Sequence, residues 1–126
     1  MKEGITRLLL VDNSVIYREG LAALISLDKD IEVVGEASSG EEAIVLAQSL
    51  RPDLILMDVQ ISSCNVVETT KEINQQFPWI QIIVLATFDE DEYIFQSLQN
   101  GALNYILKGT PSEQIATAIH SLHRRF

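Results

Sequence analysis

Five short apolar runs recur along the chain with amphipathic segments between them, and this alternation restricts the fold more than any single residue does. Residues 8–11 (LLLV), 31–35, 54–57, 82–86 and 105–107 read as strands. Several are rich in Ile and Val, as strands buried on both faces tend to be. The segments between them carry helix start signals. Ser39 precedes Glu42 by three, Asn65 precedes Glu68 and Thr110 precedes Glu113, each in the manner of a capping box. Pro111 then falls at a first helical position, where a missing N–H is harmless. Apolar residues recur at helical spacing in Tyr17, Leu21 and Leu24; Ala43, Leu46, Ala47 and Leu50; Ile94 and Leu98; and Ile115, Ile119 and Leu122. Gly101 after Asn100 is placed to end the fourth helix. The acids at 89–92 suit that helix's first turn and otherwise read as a solvated face.

Strict β–α alternation implies a parallel sheet covered by helices on both faces. Five such units, each of about 25 residues, suit a flavodoxin-like doubly wound α/β sheet of order 2-1-3-4-5 with five helices. A chain of 126 residues is one domain, 1–126, with enough length for a single core. No internal repeat or linker interrupts it.

Composition narrows the function classes. A formal net charge of −9 disfavours nonspecific attraction to nucleic acid or an anionic membrane. If the parent protein touches DNA, another segment must do so. The single cysteine, Cys64, excludes an internal disulfide and any multi-cysteine metal site, and it fits a cytoplasmic location. No apolar run approaches the roughly 18 residues a membrane span needs, and MKEGITR is too polar to open a signal peptide. His120 and His123, near the end of the last helix, read as surface residues that favour its dipole.

The strand ends carry the chemistry. Strand 1 ends in Asp12 and Asn13, strand 3 in Asp58, strand 4 in Thr87 and strand 5 in Lys108. In this topology strands 1 and 3 are neighbours at the switch point, and ligands bind outside the carboxyl ends of the strands. Clustered oxygens suit a hard cation such as Mg²⁺, and a carboxylate among them can act as a nucleophile toward phosphorus. A hydroxyl and an ammonium beside it can hold the oxygens of a transferred phosphoryl group, a reaction that needs mostly positioning and charge neutralisation. An Asp after a strand is by itself an ordinary cap. The conjunction at successive strand ends is what points to a site.

These stretches resemble the receiver domain of two-component response regulators, which has a CheY-like fold, and the resemblance covers essentially the whole chain. LLLVDN resembles its first strand and acidic pocket, LILMD its phosphoacceptor strand, VLAT its hydroxyl position and GALNYILKG its switch aromatic and lysine. YREGLAALI, IEVVGEASSGEEA and FDEDEY look most like the NarL/LuxR-type subgroup, in which a helix-turn-helix DNA-binding domain normally follows. The resemblance implies that Asp58 accepts a phosphoryl group from a sensor histidine kinase. It implies a Mg²⁺ site of Asp12, Asn13, Asp58 and the Gln60 carbonyl, with Thr87 and Lys108 on the phosphoryl group and Tyr105 as the moving aromatic. Read without the resemblance, Tyr105 is an ordinary half-buried strand residue. Such a domain catalyses only its own phosphorylation and dephosphorylation, and phosphorylation is expected to promote a homodimer. Any output domain would lie beyond residue 126.

Two departures bear on competence. Asn13 stands where the family carries a second acid. Ile61-Ser62-Ser63-Cys64-Asn65-Val66 replaces a loop that usually contains Pro and two Gly, which changes its preferred backbone conformations. Gly109 follows Lys108 where many receivers have Pro, so no cis peptide is expected there. The departures support an alternative, a pseudo-receiver acting as an interaction module without phosphate. A flavin or nucleotide binder on the same fold is disfavoured because Asp12-Asn13-Ser14-Val15-Ile16 is no glycine-rich phosphate loop. A phosphatase working from strand 1 is disfavoured because it would want an acid at Ser14.

Overall fold

The computed structural model describes residues 4–60, 65–87 and 90–123. Its elements alternate as β1 (Thr6–Val11), α1 (Val15–Ile25), β2 (Ile31–Ala37), α2 (Gly40–Leu50), β3 (Leu54–Asp58), α3 (Val66–Gln76), β4 (Gln81–Ala86), α4 (Asp91–Gln99), β5 (Asn104–Leu107) and α5 (Ser112–His123). The strands form one parallel sheet in the order β2-β1-β3-β4-β5, which is the expected doubly wound arrangement.

Alternate strand residues divide between two cores, because successive side chains point to opposite faces of a sheet. Leu9, Val11, Ile55, Met57, Ile82 and Val84 pack with Ala43 and Ala47 of α2, Ile73 of α3 and Ile94 of α4. Leu8, Leu10, Leu54, Leu56, Ile83 and Leu85 pack with Leu21 and Ile25 of α1 and Ile115 and Ile119 of α5. Neither face of β1, β3 or β4 meets water, so these runs are apolar at consecutive positions. β5 departs from that pattern. Only Ile106 is buried, while Asn104, Tyr105 and Leu107 are exposed at the sheet edge.

Two helix faces are rotated from the expected ones. On α1 the buried residues are Leu21, Ala22 and Ile25, and Leu24 is exposed. On α4 the buried residues are Ile94 and Ser97, and Leu98 is exposed. Small residues, Ala22 and Ser97, take the inward positions and let the helices approach their neighbours closely.

The caps follow the sequence with adjustments. Ser39 Oγ accepts from the Glu42 N–H at 3.1 Å, but the Glu42 carboxylate accepts from the Ser38 N–H and not from that of Ser39. Asn65 Oδ1 accepts from the Glu68 N–H at 2.8 Å, and Asn65 Nδ2 donates to the Glu68 carboxylate. α5 starts one residue later than expected, with the Pro111 carbonyl accepting from Gln114 and Ile115. Gly101 takes φ +119° after α4, as a helix stop should. No peptide bond among the described residues is cis. No helix among them is long and apolar enough to cross a membrane.

Candidate functional site at the carboxyl ends of the strands

The sheet register sets the site. Val11 pairs with Met57, so Asp12 and Asp58 leave adjacent strands at one level. Ala86 pairs with Leu107, which sets Thr87 level with Lys108. Main-chain bonds extend the ladder past the strand ends: Asp12 N–H to the Ala37 carbonyl, Val59 N–H to Leu85 and Lys108 N–H to Ala86. The backbone is therefore held at the points where the polar side chains emerge. Asp12 and Asp58 are 2% and 3% exposed.

Lys108 joins the two acids. Its Nζ lies 2.9 Å from Asp12 Oδ2 and 3.5 Å from Asp58 Oδ2. It also stands 4.3 Å from the centre of the Tyr17 ring, a cation–π contact, while the Tyr17 hydroxyl donates to the Lys108 carbonyl at 3.4 Å. Burial pushes the Asp58 carboxyl up to about 6, and the neighbouring Asp12 adds to the shift; Lys108 and the Gln60 N–H partly oppose it. Burial alone would lower the Lys108 ammonium, but Asp12 and Asp58 outweigh it and the net direction is upward. Burial likewise raises the Tyr17 phenol.

Asp12 Oδ1 accepts from the Ser14 N–H at 2.8 Å, which fixes the carboxylate. Its Oδ2 is buried and makes no hydrogen bond of adequate geometry, although the Lys108 ammonium is close enough for an ion pair. Its negative charge is balanced by that ammonium, 2.9 Å away. Arg18 supports the turn from below, with Nη1 donating to the Asp12 carbonyl at 2.7 Å and Nε paired with Glu36 at 2.9 Å.

Asp12, Asp58 and Lys108 thus come together. The other sequence-predicted residues take different positions. Thr87 is exposed, and its hydroxyl donates to Glu90 Oε1 at 2.8 Å. Tyr105 is exposed on β5. Asn13 is exposed beside Asp12, with no side-chain hydrogen bond among the described residues. Gln60 follows β3, its N–H serving Asp58 and its side-chain Nε2 donating to Glu90 Oε2 at 2.8 Å. The altered loop at 61–64, including Cys64, lies outside the described residues, as does Asp89.

Glu90 is a correction to the sequence reading. Expected on a solvated face, it is 8% exposed and accepts from the Thr87 N–H at 2.7 Å as well as from the hydroxyl. The signal was present as Thr87-Phe88-Asp89-Glu90, a Ser/Thr-x-x-Glu capping pattern just before a helix. Tyr17 was read only as an apolar helix position, and nothing local in the sequence announces its contact with a lysine 91 residues away.

The donor set suits a hard cation: two buried carboxylates on adjacent strand ends, offering oxygen ligands and sharing one ammonium between them. Asp28, Asp30 and His120 form a separate group whose ligand atoms lie within 4.8 Å of one another. It sits at the opposite end of the sheet, before β2. His120, read from sequence as a plain surface residue, is there paired with Asp28 at 2.9 Å. A cavity of about 550 Å³ lined by Asp53, Asn74, Trp79 and Gly101 is also at that opposite end. Its one acid, Asp53, already accepts from the Arg7 N–H. Neither feature bears on the paired carboxylates.

Known proteins are similar to this chain in sequence and in fold. Residues 8–120 match the response regulator receiver domain. Over 118 residues the chain is 41% identical to the response regulator protein VraR of Staphylococcus aureus, covering 94% of this chain and 56% of that protein. It is 39% identical over 124 residues to the uncharacterized transcriptional regulatory protein YxjL of Bacillus subtilis, covering 98% and 57% respectively. The chain therefore spans just over half the length of these relatives. A LuxR-family two-component response regulator from Aurantimonas sp. superposes with a TM-score of 0.88 at 26% identity, covering 96% of this chain and 86% of that one. By this match and this strand order the chain belongs to the response regulator receiver domains, with relatives of the NarL/LuxR type.

Proposed function

We propose that the chain is a phosphorylation-controlled switch in which Asp58 accepts a phosphoryl group from a sensor histidine kinase. One observation supports this most strongly: a buried carboxylate at a strand end shares a single ammonium with a second buried carboxylate. Asp58 Oδ attacks phosphorus as the P–N bond of a phosphohistidine breaks, and the imidazole leaves and takes up a proton from solvent. Two carboxylates and one ammonium carry a net −1. A Mg²⁺ ion held by Asp12, Asp58 and the Gln60 carbonyl, with Asn13 offering an amide oxygen, would bring the set to +1 and supply charge neutralisation for the incoming dianion. Lys108 moves from bridging two acids to pairing with a phosphoryl oxygen, and the Thr87 hydroxyl turns to another. Tyr105, now exposed, is the aromatic that follows.

On this reading the chain performs only its own phosphorylation and dephosphorylation, in the cytoplasm. Phosphorylation promotes a homodimer, and the whole protein controls transcription through a helix-turn-helix domain outside these residues. The transcriptional role rests on the relatives' names and on their greater length. A pseudo-receiver is the second reading, and Asn13 is the observation that favours it. Incubation with a small phosphodonor and Mg²⁺, followed by intact mass, separates the two. One added phosphoryl group, lost in Asp58→Asn, is expected. Stoichiometric uptake by Asp58→Asn overturns the assignment, and no uptake by the native protein favours the pseudo-receiver.

A further inference from the structure

Three acids are buried among the described residues, and the chemistry above gives Glu90 no part. Its carboxylate is nevertheless the most fully occupied of the three. Oε1 accepts from the Thr87 N–H at 2.7 Å and from the Thr87 hydroxyl at 2.8 Å. Oε2 accepts from Gln60 Nε2 at 2.8 Å. Gln60 stands two residues after Asp58, and Thr87 directly follows β4. One side chain therefore ties together the two segments that flank the phosphoacceptor.

A helix-capping role alone would need less. A capping-box glutamate receives only the cap residue's N–H, and the cap hydroxyl accepts from the glutamate's own N–H. Here the hydroxyl donates its proton to the carboxylate, and a side chain from a different strand end joins as a third donor. A threonine hydroxyl has one proton to give. It can serve Glu90 or a phosphoryl oxygen, and not both at once. Hydrogen bonds to a charged acceptor are about twice as strong as neutral ones, so the contact that must be broken is a substantial one.

We infer that Glu90 is a positioning residue that holds Thr87 and Gln60 in the unphosphorylated arrangement and so sets how tightly the site takes up a phosphoryl group. The inference rests on the phosphorylation reading above and adds to it an internal competitor for the hydroxyl. Glu90 occupies the donor before the phosphoryl group arrives. On uptake the Thr87 hydroxyl turns its hydrogen bond from the Glu90 carboxylate to a phosphoryl oxygen, its proton staying on the threonine.

The test is a double-mutant cycle in the whole chain, with beryllofluoride plus Mg²⁺ as the probe and calorimetry as the readout. Glu90→Ala is expected to bind the probe about tenfold more tightly, equivalent to 1.4 kcal/mol. In a Thr87→Val background the same change is expected to do little, because the contested hydroxyl is gone. An equal gain in both backgrounds overturns the inference, since removing a negative charge would then explain it. A second readout needs no probe: Glu90→Ala should shift the Thr87 amide and Gln60 side-chain amide resonances in the free protein, and unmoved resonances overturn the inference. Uptake by the native protein with no change in Glu90→Ala overturns this inference alone. Uptake by neither protein overturns the phosphorylation reading and this inference with it.

Discussion

Asp58 is buried and stands beside the Asp12 carboxylate, and both conditions raise the affinity of its carboxyl for a proton, while the shared Lys108 ammonium partly opposes them. Its ordinary value of 3.8 rises to about 6 in the fold. In the window between these values the unfolded chain has released the proton and the folded chain retains it. The contribution of Asp58 to the stability of the metal-free protein therefore falls as pH rises from about 4 to 6 and levels off above. Asp58→Asn resembles the protonated form, so it is expected to stabilise the protein at pH 7 by about 1–3 kcal/mol and by little near pH 4. Urea unfolding of both proteins in a chelator measures this, and an equal difference at both pH values would sink it. The neighbouring Asn13 brings no charge to the pocket. Two unit charges about 4 Å apart interact by roughly 4 kcal/mol at an effective dielectric of 20, before desolvation offsets much of it. Asn13→Asp is accordingly expected to tighten Mg²⁺ binding about tenfold, and Asp12→Ala to weaken it. Calorimetry is the right readout, because Trp79 packs against Phe77 at the far end of the sheet and cannot report on the site. An unchanged affinity in Asn13→Asp would place that residue outside the metal's reach. Asp12, Asp58 and Lys108 were legible in the sequence because each directly ends an apolar run. Glu90 carried only the Thr87-x-x-Glu90 spacing as a signal, which a run of four acids masks as solvent-facing charge until the fold turns one of them inward.

Elements succeed or fail by what their backbone allows, and two glycines make opposite tests. Gly101 ends α4 at φ +119°, and a Cβ there would come within 2.6 Å of Asn74 Cγ and 2.9 Å of its Cβ. Gly101→Ala is expected to cost about 2 kcal/mol through strain and collision. Gly20 lies inside α1 with nothing within 4 Å of an added Cβ. Gly20→Ala is expected to stabilise by about 0.5–1 kcal/mol, since glycine in a helix loses the most backbone entropy. Thermal melts of the two variants should move in opposite directions, and a common direction would refute the argument. The same logic explains which elements the sequence made legible. β1, β3 and β4 were plain because burial on both faces leaves uninterrupted apolar runs. β5 is legible as a short apolar strand, but three residues carry too little pattern to show that it is an edge strand with only Ile106 buried. The α1 and α4 faces were misplaced because 3.6-residue periodicity allows two adjacent stripes sharing one residue. Leu21 belongs to both stripes on α1, and the small Ala22 decides between them only once the sheet is present.

At the scale of the whole molecule, a net charge of −9 opposes self-association. The proposed phosphorylation-promoted dimer therefore needs exposed apolar surface to offset that repulsion. Ile16, Leu24 and Leu27 are exposed at 87%, 53% and 79%. With Gly20 they follow i, i+4, i+8 and i+11 spacing, one stripe along α1 into the turn beyond it. The stripe borders α5 through Ser112 and Ala116. Its α4 rival presents Tyr93 and Phe95, and acids stand beside both surfaces, Asp91 and Glu92 on α4 and Asp28 and Glu113 next to the stripe. What separates the two is contact with the site: Tyr17, on the same helix as the stripe, touches the Lys108 that on the proposed reading pairs with an incoming phosphoryl group. The phosphorylation-promoted dimer is accordingly expected to use α1 and α5. Sedimentation with beryllofluoride and Mg²⁺ should show the native mass doubling at micromolar concentrations, and added salt should strengthen the association by screening the repulsion. Leu24→Glu should abolish the doubling while leaving uptake of the probe intact, and Phe95→Glu should leave both unchanged. If Phe95→Glu is instead the variant that stays monomeric, the face belongs to α4 and β5, and the apolar stripe on α1 has some other use.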